Sequence, residues 1–178
     1  MAKMGKFTIK GMKELQKQVN RLQEGDIEAF VESCAKELAT RLLAKVIKRT
    51  PVGDYSGDSY TCASGKQHKG HKEEGRVGGT LRRGWTSKTH EEAAKGGKMS
   101  AKAYADSLTI NHTGNIIVID IVNPVEYASY VEYGHRTPNH KGWVPGHFMM
   151  TISEQEIRDI APKVLEAKIQ KFLGECMK

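Results

Sequence analysis

Apolar residues recur with helical spacing at both ends of the chain. From Gly11 to Thr50 they return every three or four positions, which predicts an N-terminal helical segment over residues 11–49. Gly25 and Asp26 interrupt the pattern, so we expect a break there and then a long amphipathic helix with Asp26 as its N-cap. Pro51 should end this helix, because the residue before a proline is disfavoured in helical backbone.

A second helical pattern predicts a C-terminal helix over residues 147–174. Ser153 and Glu156 have the spacing of a capping box, which favours a start near Ser153. An earlier start, at Phe148 or Met149, stays open. Pro162 falls inside the apolar pattern, so we expect it to kink the helix or to restart it.

Between the helices, alternating apolar and polar residues predict a β-hairpin over residues 103–123. Tyr104 to His112 forms its first strand, and the β-branched run from Ile116 to Val122 forms a second, mostly buried strand. Trp85 to Thr89 is a candidate third strand. The predicted fold class is α+β, with one small antiparallel sheet of three to four strands packed against the two terminal helices in a single domain of residues 1–178.

A short helix is predicted over residues 124–134, directly after the hairpin. Tyr127, Tyr130 and Val131 lie on one side of this helix, and Gly134 occupies the place of a C-terminal glycine. Arg136 to Pro145 is predicted to form a loop.

Residues 51–102 differ in composition, because they hold ten of the 18 glycines and few apolar residues. We predict a long mobile loop here with a short ordered piece near residues 80–89, since little apolar surface is available to offset the ordering entropy. Non-specific DNA contact is one candidate role, given a formal net charge of +7, and ordering against an acidic protein is another. The basic residues of this loop are Lys66, Lys69, Lys72, Arg76, Arg82 and Arg83.

The composition also bears on the cellular setting. The chain has no apolar run of the ~18 residues that a membrane span needs, and we expect no signal peptide in its first residues. Cys34, Cys62 and Cys176 are widely spaced and form no CxxC pair, which fits free thiols in a reducing cytosol. Cys34 falls on the apolar face of the N-terminal helix, so we expect it in the core.

Two groups of histidines are candidates for metal binding or catalysis. His68 and His71, with Cys62 upstream, make one loose pair, whereas a zinc site usually needs four nitrogen or sulfur ligands. The second group is His135, His140 and His147, with Asn139 beside His140.

The second group has the residue type that histidine-rich nucleases use to activate water and bind a metal. The nearest carboxylates, Glu126 and Glu132, lie on the preceding helix. Phosphate-binding glycine loops, GxSxG and HExxH are also missing from the sequence. We therefore expect no catalytic residue, no metal and no cofactor.

Four elements, in order along the chain, resemble a known family. They are Thr50-Pro51-Val52, the Gly-x-Leu-Arg-x-x-Trp element Gly79–Trp85, the Y-A-S-Y-V-E-Y-G element Tyr127–Gly134, and Trp143–Met149 before the last helix. In this order they are similar to the small tail-component or tail-completion (neck) proteins of long-tailed double-stranded-DNA bacteriophages and prophages. That family commonly runs from T-P-V directly into an L-R element, so Gly53 to Gly78 resembles an insertion.

The resemblance implies a non-enzymatic virion protein, assembled in the bacterial host cytoplasm and acting at the head–tail junction or in tail completion. Its implied partners are other head–tail connector or tail proteins, with a homo-oligomeric ring as one arrangement. We expect the tyrosines also to support the sheet in part, Trp143 and Phe148 to anchor the last helix, and Glu132 and Arg136 to pair with neighbouring subunits. The candidate interface residues are Tyr127, Tyr130, Tyr133, Glu132, Arg136, Trp143 and Phe148.

Two other functions stay open from the sequence. The first is a small basic DNA-binding or metal-dependent nuclease-like protein that uses the basic loop and the His135–His147 cluster. The second is a toxin-like ribonuclease of similar size and charge. Nucleic-acid binding across a salt series, with a cleavage assay in divalent metals, separates both from a structural protein.

Overall fold

The computed structural model describes residues 26–53, 60–61, 67–68, 78–96, 99–113 and 116–176. The α+β class is confirmed, as are the long helices toward each end of the chain. The elements follow the order α1 (Asp26–Arg49), β1 (Tyr60–Thr61), β2 (Gln67–His68), α2 (Thr80–Gly84), α3 (His90–Ala94), α4 (Ala101–Ser107), β3 (Asn111–Thr113), β4 (Ile116–Val118), α5 (Ala128–Tyr133), β5 (Gly134–Arg136), β6 (Trp143–Pro145) and α6 (Met149–Cys176).

The core lies where α1 packs against α4 and α6. Leu43 and Val46 of α1 are fully buried there, as are Ala105 of α4 and Met149 of α6. Cys34 is buried as its place in the apolar pattern predicted. Other buried apolar side chains complete the core: Ala39, Leu81, Trp85, Ala93, Tyr104 and Val125.

Helix α6 begins at Met149, which is the earlier of the two predicted starts. Ser153 therefore lies inside the helix and does not cap it. The Ser153 hydroxyl donates to the Met149 carbonyl oxygen at 2.6 Å and accepts from Arg49 Nη1 at 2.6 Å. Pro162 lies within the helix, whose span runs from Met149 to Cys176 on both sides of it.

The predicted first strand of the hairpin, Tyr104 to His112, is wrong at its start, because Ala101–Ser107 forms α4, and only its last two residues lie in β3. The Ser100 hydroxyl caps this helix by accepting from the Ala103 N–H at 3.1 Å, and Tyr104 is buried in the core. The hairpin itself is present but shorter, with His112 of β3 opposite Ile117 of β4. Strand β4 is largely exposed rather than buried.

The described strands form three separate two-stranded antiparallel sheets, so the single sheet of three to four strands is not observed among them. Trp85 to Thr89, the candidate third strand, turns away from the end of α2 instead. The Thr86 and Ser87 N–H groups bond to carbonyl groups of α2, which closes that turn. The ordered piece predicted near residues 80–89 is followed by two further helices, α3 and α4, which begin where a mobile loop was predicted. Four of the predicted basic contacts, Lys66, Lys69, Lys72 and Arg76, lie outside the described residues.

A charged bridge between α1 and α6 is expected to make stability depend on pH. Lys45 Nζ and Arg49 Nη2 donate to the two carboxylate oxygens of Glu156 at 2.5 and 2.7 Å. The hydrogen bond from Lys45, and after it the one from Arg49, holds the pKa of Glu156 below its ordinary value. Because the folded-state pKa is depressed, the stabilisation is complete above the unfolded carboxyl pKa of about 4.3 and is lost as the pH falls through the folded-state value.

We therefore expect Glu156→Gln to be less stable than the wild type at neutral pH, with a difference that shrinks as the pH falls from about 4.3. Urea denaturation across a pH series measures this difference. Glu166→Gln is the matched control, because Glu166 is exposed on the same helix. A stability difference for Glu156→Gln that stayed constant down to strong acid would contradict the role of the bridge.

Candidate partner-docking surface

The end of α1 is held to α2 by hydrogen bonds between the Thr-Pro and Leu-Arg-x-x-Trp elements. Thr50 is fully buried, and Trp85 Nε1 donates to its hydroxyl oxygen at 2.8 Å. Arg82 Nε and Nη2 donate to the Thr50 carbonyl oxygen at 3.1 and 2.7 Å. The Thr50 hydroxyl donates in turn to the Val46 carbonyl oxygen at 2.6 Å. Two elements far apart in the sequence thus form one buried cluster.

Arg82 and Arg83, which the sequence assigned to a basic contact loop, thus make hydrogen bonds within the chain. Arg83 Nε donates to the Ala93 carbonyl oxygen at 2.7 Å, and its Nη1 donates to the Gly78 carbonyl oxygen at 3.1 Å. Guanidinium N–H groups directed at backbone carbonyls are occupied and not offered to phosphates. The sequence offered one indication of this contact, because the family that it resembles commonly runs from T-P-V directly into an L-R element.

Two glycines allow β5 and β6 to approach α5 closely. Gly134 has a φ of 86°, which favours glycine, and it ends α5 as predicted. It also opens β5, which with β6 falls partly where a loop was predicted. A Cβ at Gly134 would collide with the Val144 carbonyl oxygen, and one at Gly146 with the Glu132 carbonyl oxygen. The ladder places Gly134 opposite Pro145 and Arg136 opposite Trp143.

The loop between β5 and β6 is closed by side-chain hydrogen bonds. The Thr137 hydroxyl accepts from the Gly142 N–H at 3.0 Å and donates to Asn139 Oδ1 at 2.6 Å. Asn139 Oδ1 also accepts from the Lys141 N–H at 3.2 Å. The Asn139-His140 pair, which first suggested a catalytic site, is therefore part of a turn in which His140 has a φ of 55°.

Glu132 is 6% exposed and caps the start of α6. Its carboxylate accepts from the Met150 N–H at 2.9 Å, the Thr151 N–H at 2.9 Å and the Thr151 hydroxyl at 2.8 Å. These N–H groups have no partner within the helix, and the helix dipole favours a negative charge at this end. The prediction that Glu132 pairs with a neighbouring subunit is wrong, because its carboxylate is buried and bonded within the chain.

The exposed side chains of α5, β6 and their flanks include several large aromatics. Tyr130, Tyr133 and Trp143 are 59%, 63% and 60% exposed, so none of them serves as a buried anchor. Arg136 is exposed as well. We call the following six residues the aromatic surface: Tyr127, Tyr130, Tyr133, Trp143, Val144 and Phe148.

A groove with a volume of about 800 Å³ adjoins this aromatic surface. Tyr127, Tyr130 and Val144 are among the residues that line it, together with residues 51–53, residues 78–81 and two side chains of α3. His135 and His147 line the groove, whereas His140 does not. His90, which was not a candidate in the sequence, lines it as well. No carboxylate is among the described residues that line it. An apolar and aromatic groove with a few polar groups is typical of a surface that binds another polypeptide.

These features define a small α+β protein with an exposed aromatic surface. A family model matches residues 13–134, and its description is "Bacteriophage HK97-gp10, putative tail-component". The match includes α1, the Thr50–Arg82–Trp85 cluster and α5. The chain belongs to this HK97-gp10-like family of structural tail components, which confirms the resemblance found in the sequence.

A search of the curated proteins and a search of the solved structures each find no significant match. Among the described residues, no helix is both long and apolar enough to cross a membrane.

Proposed function

We propose that the protein is a structural component of a tailed phage or prophage virion that acts at the head–tail junction or in tail completion. It does so through protein–protein assembly, with the aromatic surface as its main contact. The single observation that carries this proposal is the exposure of Tyr130, Tyr133 and Trp143 on one short unit. Tyrosine, tryptophan and arginine dominate the binding energy of protein interfaces, and Arg136 adjoins these aromatics.

The backbone beneath the aromatic surface supports the proposal because hydrogen bonds hold it in place. The His147 N–H donates to the Val131 carbonyl oxygen at 2.8 Å, and the Phe148 N–H donates to the Glu132 carbonyl oxygen at 3.0 Å. The Glu132 carboxylate then ties the same unit to α6. A contact surface that is ordered before binding loses less conformational entropy when a partner docks.

The proposed partners are other head–tail connector or tail proteins, and copies of this chain arranged as a ring are one such assembly. The tyrosines and Trp143 supply the contact, Arg136 lies at its edge, and the protein works in the virion without turnover. The internal bonding of Arg82 and Arg83 favours a structural role over binding of nucleic acid.

A nuclease-like function is the second candidate, because His135 and His147 share one groove. It has less support, since the described lining of that groove offers no carboxylate to hold a metal beside them. Metal-dependent cleavage of DNA or RNA that disappeared in His135→Ala and His147→Ala would replace the proposed function with this one.

The proposed function predicts that Tyr130→Ser/Trp143→Ser fails to complement a phage from which the gene for this chain is deleted. We expect the infectious titre to fall by about a hundredfold or more, since two interface hot spots each contribute about 2 kcal/mol. The stability of the isolated chain should change by about 0.5 kcal/mol or less, because the replaced side chains are exposed.

The matched control is Ile116→Ser/Val118→Ser, which removes two exposed apolar side chains from β4, outside the aromatic surface. This variant should restore a normal titre. Equal titres for the two double variants would contradict the assignment of the aromatic surface.

A further inference from the structure

Helix α1 and strand β3 bring two carboxylates and an imidazole together away from the aromatic surface. Glu28 and Glu32 are one helical turn apart on α1, and His112 projects toward them from β3. His112 Nε2 lies 3.0 Å from Glu32 Oε1, and His112 Nδ1 lies 3.6 Å from Glu28 Oε1. We propose that these three residues form a binding site for a divalent transition-metal ion, with Zn²⁺ as the best match.

The separations of the ligand atoms suit a single ion. One nitrogen of His112 and one oxygen from each glutamate all lie within 4.8 Å of one another. Two ligands bound at about 2.1 Å to one ion lie about 3.0 to 3.4 Å apart. The His112–Glu32 pair already has this separation. An ion takes only one ring nitrogen of His112, and with Nε2 and Glu32 as the close pair Glu28 must move from the Nδ1 side. Its side chain is 69% exposed, so it has room to do so.

The chemistry of the three ligands favours zinc or a neighbouring metal over magnesium and calcium. Imidazole nitrogen suits Zn²⁺ and its neighbours, whereas Mg²⁺ and Ca²⁺ prefer sites made of oxygen alone. Two carboxylates one turn apart on a helix also concentrate negative charge, and like charges at this spacing repel each other. A bound cation would remove that repulsion, and water would fill the remaining coordination positions because the site is open to solvent.

Metal binding at this site would fasten the β3–β4 hairpin to α1. The ligands come from elements 80 residues apart in the chain, since the Glu32–His112 contact spans that separation. An ion that binds the folded chain and not the unfolded chain raises stability by mass action. The readout is therefore thermal stability, which does not depend on virion assembly.

The test uses the untagged full-length chain, freed of metal with a chelator and then melted with ZnCl₂ or MgCl₂. We expect Zn²⁺ at about a hundredfold excess over its Kd to raise Tm by about 5 °C or more, and we expect MgCl₂ to have no such effect. His112→Gln and Glu32→Gln should each abolish the shift while keeping a metal-free Tm close to that of the wild type.

The matched control is His68→Ala/His71→Ala, which removes the loose histidine pair identified in the sequence and should keep the full shift. A wild-type Tm that zinc does not change would overturn the site. A zinc shift that survived in His112→Gln, or that vanished only in the His68→Ala/His71→Ala variant, would overturn it equally.

Discussion

Arg82→Met is expected to lower the free energy of unfolding by about 2 to 3 kcal/mol. The guanidinium donates two hydrogen bonds to the Thr50 carbonyl oxygen, at 3.1 and 2.7 Å, and Thr50 is fully buried. Methionine fills similar space but donates nothing, so the carbonyl oxygen loses charge-assisted bonds that it cannot replace from solvent. Equilibrium denaturation in urea measures the change.

Arg158→Met is the matched control for this experiment. Arg158 pairs with Glu154 one turn away on α6, and its side chain is 71% exposed. Replacing it should change stability by about 0.5 kcal/mol or less. If Arg82→Met and Arg158→Met were equally mild, Arg82 would belong to a solvated basic surface after all, and the buried cluster would not hold α1 to α2.

Glu132→Ala should lower the free energy of unfolding by about 2 to 4 kcal/mol. The substitution deletes a buried carboxylate that accepts three hydrogen bonds at the start of α6. The Met150 and Thr151 N–H groups then lose their acceptor, and the helix loses a favourable charge at its positive end. We expect Glu132→Gln to fall between the wild type and alanine, because an amide oxygen still accepts but carries no charge.

Glu126→Ala serves as the comparison, since Glu126 is exposed just before α5 and its loss should have little effect on stability. The stability of the isolated chain distinguishes the two roles considered for Glu132, which are capping of α6 and pairing with a neighbouring subunit. A residue that pairs with a neighbouring subunit would leave the isolated chain as stable as the wild type. Normal stability of Glu132→Ala would thus restore the interface role and contradict the cap.

The sequence predicted the long helices well because apolar spacing reports directly on a buried face. The end of α1 at Thr50-Pro51 and the buried Cys34 followed from the same pattern and from proline geometry. The strands were predicted less well. Tyr104 and its neighbours alternate as a strand would, but the Ser100 cap and burial of Tyr104 against the core make that segment helical.

The candidate site was predicted in its residue types and not in its contacts. The aromatic positions that the sequence singled out are exposed, and their role as a contact surface stays a prediction. The role of Glu132 was missed, since a sequence shows a charge but not the distant N–H groups that it accepts from. The internal hydrogen bonds of Arg82 were missed for the same reason, because its partner Thr50 lies 32 positions away.

Electron microscopy of the particles made by the gene-deleted phage tests the central claim most directly. The deletion strain is supplied with either the wild-type chain or the Tyr130→Ser/Trp143→Ser variant, and particles with a head and tail joined are counted. We predict joined virions with the wild-type chain, and with the variant mostly unjoined heads and incomplete or separate tails. Joined virions at the same frequency with the variant, or without any copy of the chain, would contradict the proposed function.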